Sequence, residues 1–531
     1  MHKSSPSLLS IVAHARSGAL DHAWRLFQEA GLEGVEDDAA VLSVRGRLFK
    51  DRGLAAVTLD ERQGFYRQAA EAYGRAGAIS GATYPLINAA TLALLAGDAG
   101  QARRRAADVL ARLDGGEAEP DTPYYTAATR AEALLLTGET GRARDALAEA
   151  MALAPRAWED HASTLSQFSL ILEALNEDIG WLDALRPPRS LHFAGHMAVA
   201  PDDVDVAGEV DAFLKRESIG FGFGALAAGA DIIIAEALLA HGAELHLLLP
   251  AAVEAFRRAS VAAQGEGWAM RFDAVLARAE TVQTFGHPDD PQHPLAVRLA
   301  AEAAMGQALT HARTLASDAV QLLILEEADT VSAGGSAWMA HAWQAAGRRG
   351  QVIVAPRAGV TAAMPEAPAA TLAAMLEVQI ATDIDDSLAS VRRHADTALS
   401  SLVRAIEEGP SPLAPPSWRG ASVQLAFATP GDAAEAARRI VAALPESAAC
   451  RIAGAYGLVL EGRAGGPRFL GPTAALPADI LRSTPPGAVL VTELFAWAMQ
   501  VGEARPPRAE YVGDLPGMDI ETPVRLYTLK V

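Results

Sequence analysis

The residues best suited to chemistry in this chain are glycines at the ends of apolar runs. In GFGFGALAAGAD, Gly222, Gly224 and Gly229 follow a strand-like run and precede a helix that starts near Asp231. A second loop, SAGGSAWMA, follows AVQLLILEE and opens another helix at Ser336, with Gly334 and Gly335 just before it. A third turn, AGHM, sets Gly195 and His196 at the end of another apolar run. Bare backbone N–H groups at a strand-to-helix turn, aided by the positive end of the helix dipole, can receive an anion such as a phosphate. The spacing is not the GxGxxG of dinucleotide folds, and no lysine follows as in a P-loop, so the signal is anion binding without a standard motif. Each residue also has a plainer reading. The glycines can be tight turns without a ligand, and His196 can satisfy a carbonyl at a strand end. Asp231 and Glu236 can be an N-cap and a first-turn carboxylate that favour the helix dipole, or contacts to a ribose or base.

Such loops need a parallel sheet to carry them. SLHFAG, SIGFGFG, AELHLLLP, ETVQTFG, AVQLLILEE and QVIVAP read as strands, separated by helices such as VAGEVDAFLKR, IIIAEALLAHG, VEAFRRASV and LAVRLAAEAAMGQALTHARTL. Short apolar strands alternating with such helices predict a parallel sheet covered on both faces, a Rossmann-like α/β domain over residues 189–358. It is bounded by the break ALRPPRS and by the Pro/Ala stretch APRAGVTAAMPEAPAAT. Residues 1–186 carry helical spacing with almost no β-branched alternation, which predicts an all-α repeat domain. Residues 370–531 mix strands, helices and a Gly-rich hairpin, LEGRAGGPRFLG, which predicts an α+β sandwich.

The chain has 531 residues, several times a typical domain of about 150, and half of them are apolar, so packed multidomain cores are expected. Lys plus Arg number 45 against 65 Asp plus Glu, a net charge of −20 that disfavours nucleic acid and anionic membrane surfaces. One cysteine, Cys450, can form neither an internal disulfide nor a thiolate zinc site. The apolar run that starts MHKSSPSLLSIVAHARSG is broken by His14 and Arg16, and the window from Ile232 is broken by Glu236, His241 and Glu244, short of the ~20 residues that span a bilayer. A cytoplasmic protein with no cofactor and no structural metal is expected.

In the helical part, a glycine followed five residues later by an alanine recurs at Gly18 and Ala23, Gly97 and Ala102, and Gly138 and Ala143. Glycine suits the turn between helices, and alanine lets two helices approach. The last two copies are 41 residues apart, longer than the ~34 of a regular tetratricopeptide repeat. TYPLINAATLALLAGDAGQARRRAADVL (Thr83 to Leu110) and YYTAATRAEALLLTGETGRARDALAEA (Tyr124 to Ala150) resemble the tetratricopeptide-like TRAFs-binding domain of apoptosis signal-regulating kinases and its bacterial sensor relatives. The resemblance implies a scaffold or sensor module with a protein partner.

LHFAGHM, the stretch from Gly224 to Pro250, FRRASV, WAMRFDAVLARA and GGSA resemble the SLOG superfamily, near the cytosolic nucleotide-sensing domains of TRPM channels. The resemblance implies a nucleotide-derived ligand whose phosphates lie on the loop after the second strand and on the GGSA loop, with the AGHM turn closing the pocket. Gly195, His196, Gly222, Gly224, Gly229, Asp231, Glu236, Gly334, Gly335 and Ser336 form the ligand-binding set on this reading. The hydrolytic LOG branch carries a glutamate in a PGG motif. AGGSAWMAHA has none near Gly335, which favours binding over cleavage.

The last part resembles the class III adenylate/guanylate cyclase catalytic domain through AAMLEVQIAT, SWRGASVQLAFATPGDAAEAARRI, RIAGAYGLVLEG, LGPTAALPADILRSTPPGAVLVTELFAWAM, YVGDLPG and VRLYTL. That family grips two divalent ions with two aspartates. By the flanking residues those positions fall on Gln379 and Gly420, and the transition-state asparagine and arginine fall on Ala475 and Asp479. The resemblance therefore implies a pseudocyclase retained as a dimerisation or regulatory surface. Asp383, Asp385 and Asp386 in IATDIDDSL can cap the following helix or mimic a metal site. The combined expectation is a bacterial-type signalling protein with a nucleotide-derived ligand, a protein partner on the helical repeats and a homodimer through the cyclase-like part. A nucleotide-cleaving enzyme and a ligand-free assembly scaffold are the alternatives.

Overall fold

The computed structural model describes residues 7–116, 122–285, 293–327, 336–357, 370–381, 389, 392, 395–444, 449–462, 468–502, 506–515 and 523–530. The chain divides into two compact units, Met1–Pro187 and Pro188–Val531. No helix among the described residues is long and apolar enough to cross a membrane.

The first unit is all-helical: α1 Leu8–Arg16, α2 Leu20–Glu29, α3 Ala39–Ala55, α4 Leu59–Ser80, α5 Thr83–Leu95, α6 Ala99–Asp114, α7 Pro123–Thr137, α8 Thr140–Leu153 and α9 Trp158–Leu175. The three glycines of the repeat take φ of +83° at Gly18, +88° at Gly97 and +90° at Gly138. In each case the next residue, Ala19, Asp98 or Glu139, sends its N–H back to a carbonyl of the preceding helix, on His14, Ala93 or Leu134. This is the helix-ending geometry in which the left-handed residue is usually glycine. Ala23, Ala102 and Ala143 are fully or almost fully buried, as close helix approach requires.

The second unit begins with a six-stranded parallel sheet, β1 Arg189–Gly195, β2 Ile219–Gly224, β3 Glu244–Leu249, β4 Thr281–Thr284, β5 Ala319–Leu325 and β6 Gly350–Val354. Their order is β4-β3-β2-β1-β5-β6, so the direction of strand addition reverses between β1 and β5. Helices α10 Val204–Glu217, α11 Ala230–Ala240, α12 Val253–Ser260, α13 Glu266–Leu276, α14 Pro294–Thr314 and α15 Ala337–Ala345 connect the strands. Strands β1, β2, β3 and β5 are mostly apolar and buried, the pattern of a sheet covered by helices on each side, while the edge strands β4 and β6 are largely exposed or half-buried.

A mixed sheet follows, built from β7 Ala370–Ala381, β8 Ser417–Arg419, β9 Ser422–Phe427, β10 Ala449–Glu461, β11 Phe469–Leu470, β12 Val489–Thr492, β13 Arg508–Leu515 and β14 Val524–Lys530. The order is β13-β14-β12-β10-β7-β9-β8, with β11 on β10. Helices α16 Ser400–Glu407, α17 Pro430–Ala443 and α19 Glu493–Gly502 pack on one face, while α18 Pro472–Ser483 lies on the other. The two sheets, expected as separate domains at 189–358 and 370–531, share one compact unit.

Helix α14 joins them. Its Met305 packs with Leu323, Leu325 and Trp343 of the parallel-sheet layer, and its Leu299 packs with Val378, Phe495 and the rest of the mixed-sheet core. Glu302 accepts a buried hydrogen bond of 2.7 Å from the Tyr456 hydroxyl on β10. Arg348 donates to the carbonyls of Gln500 and Val501, at 2.5 and 2.9 Å, at the end of α19. Where α14 crosses α19, a Cβ on Gly306 would stand 2.0 Å from the Trp497 carbonyl oxygen.

This crossing predicts that Gly306→Ala destabilises the second unit by about 2 kcal/mol or more, because overpacking against backbone outweighs the ~1 kcal/mol helix-propensity gain of alanine. Gly208→Ala in α10, where a Cβ meets nothing within 4 Å, should stabilise by up to ~1 kcal/mol. Thermal unfolding of the two variants against the parent measures both effects, and equal midpoints for the two would contradict the packing.

Candidate functional site

The carboxyl edge of the parallel sheet holds most of the residues expected to bind a ligand, and it gives them internal partners. A Cβ on Gly195 would lie 2.4 Å from Ala230 Cβ, on Gly222 2.4 Å from Leu238, and on Gly224 2.5 Å from the Phe193 carbonyl. Gly229 has φ of +86°, and its Cβ position is 2.5 Å from the Met197 carbonyl. These four glycines therefore let strand, loop and helix close on one another, which is the plainer of the two readings made from sequence.

The amides of these loops are likewise engaged. The N–H groups of Gly195 and Ala227 each donate to the Asp231 carboxylate at 3.1 Å. Ala228 donates to the Ser260 carbonyl, Ala230 to the His196 carbonyl and His196 to the Ile324 carbonyl. Asp231 is buried, and that burial pushes its carboxyl up to about 7 against the opposing pull of the two amides. Its carboxylate occupies the place at the start of α11 where the dipole and loop amides would otherwise receive an anion. His196 is buried with Nε2 3.0 Å from the Ala355 carbonyl, so it ties the β1 loop to the end of β6. Glu236 is gripped by Arg271 at 2.9 and 2.6 Å, and the same guanidinium lies 4.3 Å from the centre of the Trp268 ring. Ser336 precedes α15 with no side-chain cap. Gly334 and Gly335 lie outside the described residues.

The mixed sheet holds an open cleft of about 470 Å³ on the α18 side, lined by Glu377, Gln379, Arg419, Ser422, Arg451, Ala478, Leu481 and Arg482. Strand register assembles it. Gln379 on β7 stands opposite Ser422 of β9 on one side and Arg451 of β10 on the other. Glu377, two residues earlier, projects from the same face. The alternate residues Leu376, Val378 and Ile380 enter the core on the far face. Gly420, at the tip of the β8–β9 hairpin with φ of +63°, follows Arg419 directly.

Glu377 is 4% exposed and its Oε2 has no hydrogen-bond partner. Burial raises its pKa, and the Arg419 charge pulls in the opposite direction. The Arg451 Nε is also buried without a partner. Asp479, on α18, is held by an ion pair with Arg482 one turn along. Ala475 is exposed on the same helix.

The cyclase resemblance implies a pair of divalent ions here, and these residues do not fit them. Gln379 offers one neutral oxygen, Gly420 offers no side chain, and Arg419 and Arg451 would repel a cation. Among the described residues no group of three or more His, Cys, Asp or Glu is placed to hold a metal ion. Asp383, Asp385 and Asp386 lie outside the described residues. Sequence reading missed Glu377 and Arg451 as cleft residues, although a glutamate inside the apolar run AAMLEVQIA was a signal for a polar, open face.

The family model of the Tetratricopeptide Repeats-Sensor matches residues 8–93. No curated protein matches the chain. Similar solved structures include the adenylyl cyclase CyaB from P. aeruginosa, with 13% identity over 30% of this chain and 94% of that one and a TM-score of 0.25. The adenylate/guanylate cyclase/hydrolase from Silicibacter pomeroyi is 18% identical over 30% of this chain and 96% of that one, with a TM-score of 0.24. The guanylate cyclase domain of RhGC from Catenaria anguillulae, in complex with GTP, is 11% identical over 30% of this chain and 96% of that one, with a TM-score of 0.25.

The Asp231 geometry carries a pH signature. A carboxyl raised in the folded state contributes stability that is full below the unfolded pKa of about 4 and is lost as pH rises through about 7. Asp231→Asn removes this dependence and leaves one of the two amides facing an NH₂ group. The stability advantage of the parent over Asp231→Asn should therefore shrink as pH rises from 4 to 7 and then level off. Thermal midpoints of both proteins across that range measure it, and a pH-independent difference would contradict the assignment.

Proposed function

We propose that the chain is a cytoplasmic, bacterial-type signalling protein that responds to a nucleotide-derived ligand and does not turn it over. The observation that carries this reading is the make-up of the mixed-sheet cleft. By the cyclase resemblance, Gln379 and Gly420 take the positions where two-metal chemistry needs paired carboxylates, and guanidiniums line the cleft that Gln379 enters. A neutral amide and a bare backbone do not hold the divalent ion that would activate a 3′-hydroxyl, so cyclisation is not supported.

The helical unit, with its Tetratricopeptide Repeats-Sensor match over residues 8–93, is the proposed surface for a protein partner. In the parallel sheet, the crevice between β1 and β5 is where open α/β sheets receive ligands, and the topology of this sheet has its switch point there. A ligand changes signalling output only by binding one arrangement of the protein more tightly than another. The helix α14, packed against both sheets, is the element through which such a preference in either sheet would reach the other. A homodimer through the open face of the mixed sheet completes the proposal. A second reading, a ligand-free assembly scaffold, is favoured by the engagement of the β1 and β2 loop amides within the protein.

Two measurements on the full chain test these readings. Incubation with ATP or GTP and Mg²⁺ or Mn²⁺ should yield no cyclic nucleotide, and detection of either product would overturn the non-catalytic reading. Thermal unfolding with ATP, GTP, ADP-ribose and cyclic nucleotides should show a raised midpoint for at least one of them. No shift across the panel would leave the scaffold.

A further inference from the structure

The mixed-sheet cleft is built to take charge of one sign. Asp479 neutralises Arg482, which leaves Arg419 and Arg451 over one buried carboxyl among the described residues, Glu377, in a chain whose net charge is −20. Three features separate this cleft from an accidental group of arginines. The guanidiniums come from three elements, the β8–β9 hairpin, β10 and α18, and converge on one cleft of about 470 Å³. Arg451 projects from mid-sheet with a buried Nε that has no partner. Glu377, at 4% exposure, presents an Oε2 that is likewise unpartnered. Buried polar atoms are normally paired, and these two line the same opening.

The other arginine-lined hollow lacks this character. It is bordered by Arg313, Arg348 and Arg349. There Arg348 is spent on the carbonyls of Gln500 and Val501, Arg313 sits in the last turn of α14 where a cation complements the dipole, and Arg349 lies between Glu217 and Asp318.

The geometry points to the mixed-sheet cleft as a metal-independent receptor for an oligophosphate, in which Arg419 and Arg451 take the charge and Glu377 with Gln379 and Ser422 hydrogen-bonds the uncharged part of the ligand. This deepens the proposed function by naming the recognition chemistry, and it rests on that reading only for the identity of the bearer. Guanidiniums bind phosphate oxygens in bidentate fashion and need no cation between them. The part of the site that two metal ions would otherwise occupy is thereby served by side chains fixed to the protein.

The test is calorimetric binding of inorganic tripolyphosphate, ATP and adenosine to the full chain in excess EDTA. Tripolyphosphate and ATP should bind saturably, and adenosine should not. Arg451→Ala and Arg419→Ala should each weaken binding at least about tenfold, as expected for charge-assisted hydrogen bonds. Glu377→Gln, which removes a negative charge without changing shape, should tighten it, and Arg313→Ala in the other hollow should leave it unchanged. Arg419 is exposed, so its variant tests the site even if Arg451→Ala fails to fold. Binding of tripolyphosphate that appears only with Mg²⁺, or that is unchanged in Arg419→Ala, would overturn the receptor. ATP bound equally well by Arg419→Ala and by the parent would place nucleotide binding elsewhere, overturning the receptor but not the signalling function.

Discussion

The second unit depends on one close approach, α14 against α19 at Gly306. A helix in a doubly covered sheet ordinarily buries one stripe and shows water the other. Here α14 has the parallel sheet on one side and the mixed-sheet core on the other, and its buried positions include Ala300, Ala303, Ala304, Gly306 and Ala308. Such small residues allow backbone-to-backbone distances that larger side chains forbid. The Glu302 to Tyr456 hydrogen bond and the Arg348 grip on the last turn of α19 then fix the register of the two layers with buried polar contacts, which cost far more to leave unmet than to keep. Because closely packed interfaces change between discrete arrangements rather than deforming smoothly, a ligand in either sheet meets a neighbour that responds as a whole.

The two sheets meet the same electrostatic need in opposite ways. At the carboxyl edge of the parallel sheet, the positive end of α11 and the loop amides are satisfied by Asp231, a carboxylate supplied by the chain itself. On the mixed sheet, no ion pair among the described residues holds Arg419 or Arg451, since Asp479 is committed to Arg482 and Glu377 is buried and raised. One edge is closed by its own carboxyl group, and the other is the one proposed to receive an anion from outside. This contrast, more than any glycine pattern, separates the edge that holds the fold together from the cleft suited to a ligand.

Much of this was legible in the sequence, and the reasons are physical. The runs read as β1, β2, β3 and β5 are parallel strands, legible because strands buried on both faces leave a continuous apolar signature, whereas the exposed edge strand β4, TVQT, carries none. Gly18, Gly97 and Gly138 announced their left-handed turns because few other residues tolerate them. Gly222, Gly224 and Gly229 were harder, since close packing and phosphate approach both demand a missing side chain, and composition does not distinguish them. Asp231 was ambiguous for a related reason: one of its partners, Gly195, lies 36 residues away, so its role exists only once β1 and β2 are adjacent. The two-sided packing of α14 was present in its sequence as small residues spread round the helix, but periodicity alone reads them as a weak stripe.

The central claim is that the mixed-sheet cleft receives a nucleotide-derived anion and that α14 relays its presence. Hydrogen–deuterium exchange on the full chain, with and without ATP in the presence of EDTA, tests it most directly. The account predicts slowed exchange at the β8–β9 hairpin and α18, and a change along α14 and α19. Protection confined to the loop between β2 and α11, or no change anywhere at saturating ATP, would contradict it.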